Sequence, residues 1–259
     1  MKKKQIAAQL YTLREYLTTP DQILSTLKEV RKIGFSAVQV SGMGPISTQE
    51  LKRMLDGEGL CCCATHEPSE KILSEPERIV ERLNELACDY TAYPVLRNVN
   101  TSCKHDIVEF AGLLQKAGVV LSKSEKVLTY HNHAIEFQKY GNSTLLEIIY
   151  ENTDPKYIQA ELDTYWIQYG GADPVDWCRR LHNRLPLIHL KDYRITAQGQ
   201  PTYAEIGQGN LNWKAIFSEA ELAGCKWFII EQDECERSPF ESLKISIEFI
   251  CEHFVEEIK

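Results

Sequence analysis

Several short apolar runs of this sequence end in imidazole or carboxylate side chains. In the most informative one, the run 127–130 is followed by His131, Asn132 and His133, and Glu136 comes three residues later. Because alternate residues of a strand share a face, His131 and His133 are expected to point the same way from one strand end. Three further runs end alike: Glu161-Leu162-Asp163, Ile188-His189-Leu190-Lys191-Asp192 and Ile229-Ile230-Glu231-Gln232-Asp233. Four such strand ends predict one shared metal site.

The residue types at these strand ends indicate which ion and which chemistry to expect. A mixed set of imidazoles and carboxylates suits Mn²⁺, Zn²⁺, Co²⁺ or Fe²⁺ better than Ca²⁺, which prefers oxygen ligands alone. We therefore expect one divalent ion. Such an ion can polarise a sugar carbonyl, and a nearby carboxylate or lysine can then move a proton. Asp163, His189 and Glu231 are the strongest candidates, because buried charges there would otherwise need partners.

The remaining polar residues near the strand ends are candidates for contact with a substrate. A structural hydrogen bond is the main alternative for His66, and packing in the core is the main alternative for Trp166. For His133, a substrate contact and a structural role are equally good interpretations. The candidates are His66, Asn98, His133, Glu136, Trp166, Lys191, Asp192 and Gln232. We expect them to surround the metal site, with Trp166 in the wall of the cavity.

The order of apolar runs and amphipathic segments predicts the fold. Eight strand–helix units follow one another, which is the number expected of a (β/α)8 TIM barrel of this length. A doubly wound open sheet usually has a glycine-rich turn after its first strand, and none follows residues 6–10 here. The fourth strand is expected at 93–98, and the fourth helix is expected to end before Gly118. No linker-like stretch interrupts the pattern, so we expect one domain over residues 1–259.

Composition excludes several classes of partner. The net charge is −8 and no long basic run is present, which disfavours nucleic acid and anionic membranes. No apolar segment approaches the length of about 18 residues needed to span a bilayer. The N-terminus is too polar for a signal peptide, and an odd number of cysteines, nine, argues for reduced thiols. We expect a cytoplasmic protein, and the sequence leaves homo-oligomerisation open.

The chain resembles the sugar phosphate isomerase/epimerase family of xylose isomerase-like barrels over nearly its whole length. The motifs that carry the resemblance are Gln9-Leu10-Tyr11-Thr12-Leu13-Arg14, Tyr130-His131-Asn132-His133-x-x-Glu136-Phe137, Leu162-Asp163-x-x-Trp166, Gly170-Gly171-Ala172-Asp173-Pro174, Ile188-His189-Leu190-Lys191-Asp192, Gly207-Gln208-Gly209-Asn210-Leu211-Asn212-Trp213 and Glu231-Gln232-Asp233. The resemblance implies one divalent metal held by strands five to eight, and Asp163, His189 and Glu231 match its last three ligands. Many relatives have Glu-Asn-His where this chain has His131-Asn132-His133. His131 is therefore the candidate first ligand, and Glu136 is its rival.

The altered first ligand bears on the reaction that the resemblance implies. Epimerases of this family share the proton transfer between two glutamates, and the first of them is missing here. What is left is isomerisation, or an elimination as in the inosose dehydratases, each of which needs one base. We expect Glu231 to be that base, with Lys191 facing the oxyanion and Glu136 as a second acid. Two alternatives are a barrel that binds a sugar or polyol without turnover, and an endonuclease, which the acidic balance disfavours.

Overall fold

The computed structural model describes residues 1–255, and its central feature is a closed barrel of eight parallel strands. In chain order these are β1 (Ile6–Gln9), β2 (Ala37–Val40), β3 (Cys61–His66), β4 (Tyr90–Tyr93), β5 (Val127–His131), β6 (Ile158–Asp163), β7 (Leu187–Leu190) and β8 (Trp227–Ile230). Each strand pairs with the next along the chain, and β8 closes the barrel against β1. The predicted (β/α)8 TIM barrel is confirmed.

Ten helices pack around the barrel or cap its ends. They are α1 (Pro20–Ile33), α2 (Thr48–Gly57), α3 (Ser69–Ser74), α4 (Pro76–Leu86), α5 (Lys104–Ser122), α6 (Leu145–Glu151), α7 (Thr164–Tyr169), α8 (Pro174–Arg180), α9 (Trp213–Leu222) and α10 (Pro239–Phe254), all within residues 1–255. The ends of α1 show how the sequence sets them. Thr19 accepts a hydrogen bond from the backbone of Gln22, Pro20 occupies the first turn, and Gly34 ends the helix at a φ of 120°.

Two short antiparallel hairpins lie outside the barrel, at the end where its strands finish. One joins Lys139–Tyr140 to Ser143–Thr144, and the other joins Asp192–Ile195 to Pro201–Ala204. The second hairpin follows β7 almost at once. It packs against α7, with the rings of Tyr203 and Tyr165 stacked 4.3 Å apart. It therefore extends the wall of the barrel beyond the strand ends.

Two predicted boundaries are wrong, and both have a physical reason. The fourth strand is Tyr90–Tyr93, and the segment from Pro94 to Asn98 that was expected to be strand is loop. A proline has no N–H for the ladder, and Asn98 adopts a left-handed φ of 56°. Helix α5 continues through Gly118 to Ser122. A Cβ at Gly118 would come within 2.3 Å of the carbonyl oxygen of Tyr157, so this glycine serves close packing rather than helix termination.

The inside of the barrel is filled by side chains that alternate along the strands. One interior layer is apolar and consists of Ala7, Ala37, Cys63, Ala64, Leu187 and Ile229; we call it the apolar layer. Strand register sets which polar residues meet above it. Gln9 is paired with Gln39, His131 with Glu161, and Asp163 with His189. All nine cysteines are free, as expected. Within residues 1–255, none of the helices combines the length and apolar character needed to cross a bilayer.

Candidate functional site

His131, Asp163, His189 and Glu231 meet at the barrel end where the strands finish; we call them the mouth cluster. They come from the ends of β5 and β6, from β7, and from the residue after β8, and each is at most 5% exposed. One ligand atom of each lies within 4.8 Å of those of the other three. The closest pair is His189 Nδ1 and Glu231 Oε2, at 2.8 Å. Asp163 Oδ2 lies 3.9 Å from His189 Nδ1 and 4.0 Å from His131 Nε2.

Asp163 shows that this cluster suits a cation. Its Oδ1 accepts a hydrogen bond from the backbone of Trp166 at the start of α7, and its own N–H donates to Asn132. These bonds turn the buried Oδ2 into the cluster, where its nearest donor is the ammonium of Lys191, at 2.9 Å. A buried carboxylate oxygen is costly unless a cation neutralises it, and here the protonated lysine does so in part. Two ligands of one ion lie at most about 4.2 Å apart, so small side-chain shifts would bring this set to one centre.

Lys191 adds a positive charge beside the mouth cluster. Its ammonium lies 2.9 Å from Asp163 Oδ2, 2.7 Å from Glu231 Oε2 and 3.0 Å from Asp233 Oδ2. Burial alone would lower the pKa of Lys191, but these three carboxylates raise it well above its ordinary value. Lys191 therefore carries a proton and can donate a hydrogen bond to a developing negative charge. It is not suited to be a base.

A second set of buried polar side chains lies deeper in the barrel; we call Gln9, Gln39, His66 and Glu161 the inner network. Glu161 is fully buried, and Oε1 accepts a hydrogen bond of 2.6 Å from Gln39 Nε2. Its Oε2 lies 2.5 Å from His66 Nε2. Gln9 Nε2 donates to Gln39 Oε1 over 2.8 Å. Although burial raises the pKa of Glu161, the surrounding histidines hold it well below its usual range, so this carboxylate is charged.

A cavity of about 570 Å³ opens above the mouth cluster. His66, His133, Trp166 and Lys191 line it, together with His131 and Glu231. The rings of His133 and Trp166 lie 5.5 Å apart. His133 Nδ1 and Trp166 Nε1 are buried and have no hydrogen-bond partner within residues 1–255.

Two predicted site residues lie away from this cavity. Asn98 lines a separate cavity of about 340 Å³ with Tyr93 and Phe110, because β4 ends five residues before it. Glu136 is fully buried, and its two oxygens accept hydrogen bonds of 2.8 Å from Tyr130 Oη and from the backbone N–H of His133. Glu136 holds the loop after β5 in place. It reaches neither the mouth cluster nor the cavity. Glu136 is therefore not in position to act as the second acid or to replace His131 as the first ligand.

The side chains of Asp192 and Gln232 also make hydrogen bonds within the protein and do not face the cavity. The Asp192 carboxylate accepts hydrogen bonds from the backbone of Gly207 and Gly209 and from Trp213 Nε1, at 2.9, 3.0 and 2.7 Å. A Cβ at Gly209 would lie 2.2 Å from this carboxylate, which explains the glycine. Gln232 Nε2 donates to the carbonyl of Glu234 and so fixes the loop after β8. Both residues shape the mouth of the barrel through its loops.

The structure also shows site residues that the sequence interpretation missed. Gln39 and Glu161 contact the cluster from below, while Asp233 and Tyr203 line the cavity. A signal for Glu161 was present, since it lies two residues before Asp163 and so shares its strand face. Gln39 stands between valines in a strand buried on both faces, which is unusual for a polar side chain. The same signal was present for Asp233, which lies two residues after Glu231 at one strand end, whereas no local signal marks Tyr203.

Comparison with known proteins places the chain among barrels of this kind. The model of the family described as "Xylose isomerase-like TIM barrel" matches residues 27–253. The inosose dehydratase of Geobacillus thermodenitrificans is 27% identical over 147 residues, 49% of this chain and 48% of the relative, so that match spans about half of the relative's length. The inosose dehydratase of Geobacillus kaustophilus is 22% identical over 90% of this chain and 86% of its own. A crystal structure of a sugar phosphate isomerase/epimerase from Parabacteroides distasonis has a TM-score of 0.83 and 23% identity, covering 99% of this chain and 96% of that one.

Proposed function

This chain belongs to the xylose isomerase-like TIM barrel family, and on that premise we propose that it is a divalent-metal-dependent isomerase of a keto-sugar or keto-cyclitol. The observation that carries the proposal is the mouth cluster of His131, Asp163, His189 and Glu231, which opens with Lys191 onto the 570 Å³ cavity. Active sites of TIM barrels lie at this end of the strands. Cavities of this size typically take small organic ligands.

The donor set of the mouth cluster, two imidazoles and two carboxylates, fits Mn²⁺, Zn²⁺, Co²⁺ or Fe²⁺. When bound, such an ion would polarise the carbonyl of the substrate. Asp163 supports this assignment, since its buried Oδ2 faces the cluster and lies 4.0 Å from His131 Nε2 and 3.9 Å from His189 Nδ1. His131 and His189 supply neutral ligands, and the two carboxylates offset the charge of the ion.

Glu231 is the proposed base. The closest contacts of its carboxylate to His189 and Lys191 are both made by Oε2. Oε1 is left to accept the proton of the carbon next to the substrate carbonyl and to return it to the former carbonyl carbon, while the proton of the adjacent hydroxyl passes to the former carbonyl oxygen. The ammonium of Lys191 lies beside this carboxylate and would donate a hydrogen bond to the oxygen on which negative charge develops. No net proton is consumed, as an isomerisation requires.

The cavity wall offers contacts for a hydroxylated ring. Trp166 presents an aromatic face, and Tyr11 and Tyr203 also line the cavity. His133 and Lys191 also line the cavity and are polar side chains that can face substrate hydroxyls. An apolar face with a few polar atoms at its edge suits a sugar or cyclitol.

Dehydration is the second candidate, because the curated relatives are named inosose dehydratases. It would begin with the same proton abstraction by Glu231. The hydroxyl on the next carbon would then leave with a proton as water, and a carbon–carbon double bond would form. The strand-three and strand-five side of the cavity carries His66 and His133 rather than a free carboxylate, so an imidazole would face the departing hydroxyl.

The test is a screen of ketohexoses, inososes and 3-keto-glycosides with Mn²⁺ or Zn²⁺ in D₂O, followed by NMR and ultraviolet absorption. The proposal expects deuterium at the carbon next to the carbonyl together with an isomeric sugar. Deuterium exchange with an absorbing enone and loss of water would establish the dehydratase instead. Saturable binding without exchange would show a sugar-binding barrel and overturn both.

A further inference from the structure

Each of the two histidines in the mouth cluster presents its second ring nitrogen to the inner network. His189 uses Nδ1 towards Glu231 and Nε2 towards Gln39 Oε1, at 2.8 and 2.6 Å. His131 uses Nε2 towards Asp163, while its Nδ1 lies 3.2 Å from Glu161 Oε2. A neutral imidazole has one N–H and one lone pair, so whatever holds one nitrogen decides what the other can do.

The hydrogen bonds of the inner network have a defined direction. Gln9 Oε1 accepts a hydrogen bond of 3.2 Å from the backbone N–H of Tyr11, so Gln9 presents its NH₂ group to the amide oxygen of Gln39. The NH₂ group of Gln39 therefore faces Glu161, over 2.6 Å. The amide oxygen of Gln39 then faces His189 Nε2 and accepts from it over 2.6 Å. His189 therefore carries hydrogen on Nε2, and Nδ1 is the nitrogen left to offer a lone pair when an ion is bound. That nitrogen is the one that faces Asp163 and Glu231.

We propose that Glu161 and Gln39 are positioning residues, which fix the tautomer of His189 so that Nδ1 is its metal-binding nitrogen. The inference rests on the metal site of the proposed function and extends it to residues that never touch the substrate. Glu161 Oε2 also lies 3.2 Å from His131 Nδ1, at an angle that makes no hydrogen bond in this structure. Hydrogen-bonded partners of this kind orient metal-binding histidines and raise metal affinity.

A competing arrangement uses the same residues. Ligand atoms of His66, His131, Glu161 and His189 also lie within 4.8 Å of one another, so this deeper set could itself hold an ion. Two observations favour the mouth cluster. Both oxygens of Glu161 are already engaged, one by Gln39 and the other by His66. The cavity is lined by Glu231 and not by Glu161.

The direct test uses the wild-type protein loaded with Zn²⁺ and labelled with ¹⁵N in its seven histidines. Long-range ¹H–¹⁵N spectra distinguish Nδ1–H from Nε2–H rings, and comparison with the Gln39→Met protein identifies His189. The expected pattern is Nε2–H with a metal-shifted Nδ1. A Zn²⁺-loaded wild-type protein in which no histidine has a metal-shifted Nδ1 would overturn the proposal, and that result needs no variant.

Two variants and one control measure the effect on Zn²⁺ affinity by competition with a fluorescent chelator. Gln39→Met and Glu161→Gln should each weaken Zn²⁺ binding about 10–100-fold, the usual effect of losing such a partner. Thr91→Val removes an equally buried hydrogen bond, to Thr65, and should leave the affinity unchanged.

The remaining outcomes separate this inference from the proposed function. Wild-type affinity in both variants, with the wild-type protein binding Zn²⁺, overturns the positioning role alone. Complete loss of Zn²⁺ in Glu161→Gln, with retention in Asp163→Asn, would place the ion in the deeper set. A wild-type protein that binds no divalent ion would overturn the proposed function and this inference with it.

Discussion

The interior of the barrel changes from apolar to polar within two residues along each of four strands. Below lies the apolar layer, and above it lie the inner network and the mouth cluster. Alternate residues share a strand face, so an apolar residue and the polar residue two positions later both point into the barrel interior. The pairs are Ala7 and Gln9, Ala37 and Gln39, Leu187 and His189, and Ile229 and Glu231. The lower side chain of each pair only fills space, whereas the upper one is polar or charged.

The two layers also differ in what stabilises them. The apolar layer consists of small or branched side chains packed together, and its removal from water is favourable without any specific partner. The polar side chains above are just as buried, so each needs a partner. Lys191 meets three carboxylates, and Glu161 meets Gln39 and His66. A change above should therefore disturb charge balance and chemistry, whereas a change below should disturb packing alone.

The largest effect is expected for Glu231→Gln. The variant keeps the shape of the side chain but cannot accept the substrate proton, so exchange at the substrate carbon should fall by at least about 10²–10⁴-fold. Deuterium exchange by NMR measures this loss, and elemental analysis should still find some bound metal. Glu236→Gln, which breaks a surface pair with Arg194, is the control with unchanged exchange. Full exchange in Glu231→Gln with metal bound would move the base to another carboxylate, and Asp233 would be the next candidate.

Lys191→Met should produce the second largest effect, and on stability. Without the ammonium, Asp163 and Glu231 are left buried without a positive partner, which typically costs about 3–5 kcal/mol. Urea unfolding in EDTA should show this loss, and Zn²⁺ should restore part of it because the ion supplies the missing charge. Lys126→Met breaks a pair with the exposed Asp89 and should cost at most about 1 kcal/mol. Equal losses with and without Zn²⁺ would argue against a cation site beside Lys191.

The fold and the mouth cluster could both be predicted from the sequence. The barrel could be predicted because strand and helix periods alternate eight times, and because helix ends such as Thr19 and Gly34 are encoded locally. The mouth cluster could be predicted because parallel strand ends meet at one face of a barrel. Both inferences need only local patterns and a general rule of the fold.

What could not be predicted depends on partners far away in the chain. Gln39 and Glu161 meet across 122 positions, and only strand register and barrel closure bring them together. The position of the loop carboxylate Asp192 could not be predicted for a similar reason. Asp192 looked like a cavity residue, but the backbone of Gly207 and Gly209 binds it, and no sequence pattern fixes that pairing. Asn98 was expected at the cavity because the fourth strand was predicted to end at residue 98 instead of Tyr93.

The smallest effect is expected for Ile229→Val, which lies on the same face of the same strand as Glu231. The change removes one methylene from a fully buried side chain in the apolar layer, which typically costs about 0.5–1.5 kcal/mol. No polar contact of the mouth cluster involves Ile229, so Zn²⁺ affinity and turnover per folded molecule should equal those of the wild type. Urea unfolding measures the first quantity, and chelator competition with the exchange assay measures the others. If Ile229→Val weakened Zn²⁺ binding as much as Gln39→Met, packing below would be setting the geometry of the cluster, and the division between the two layers would fail.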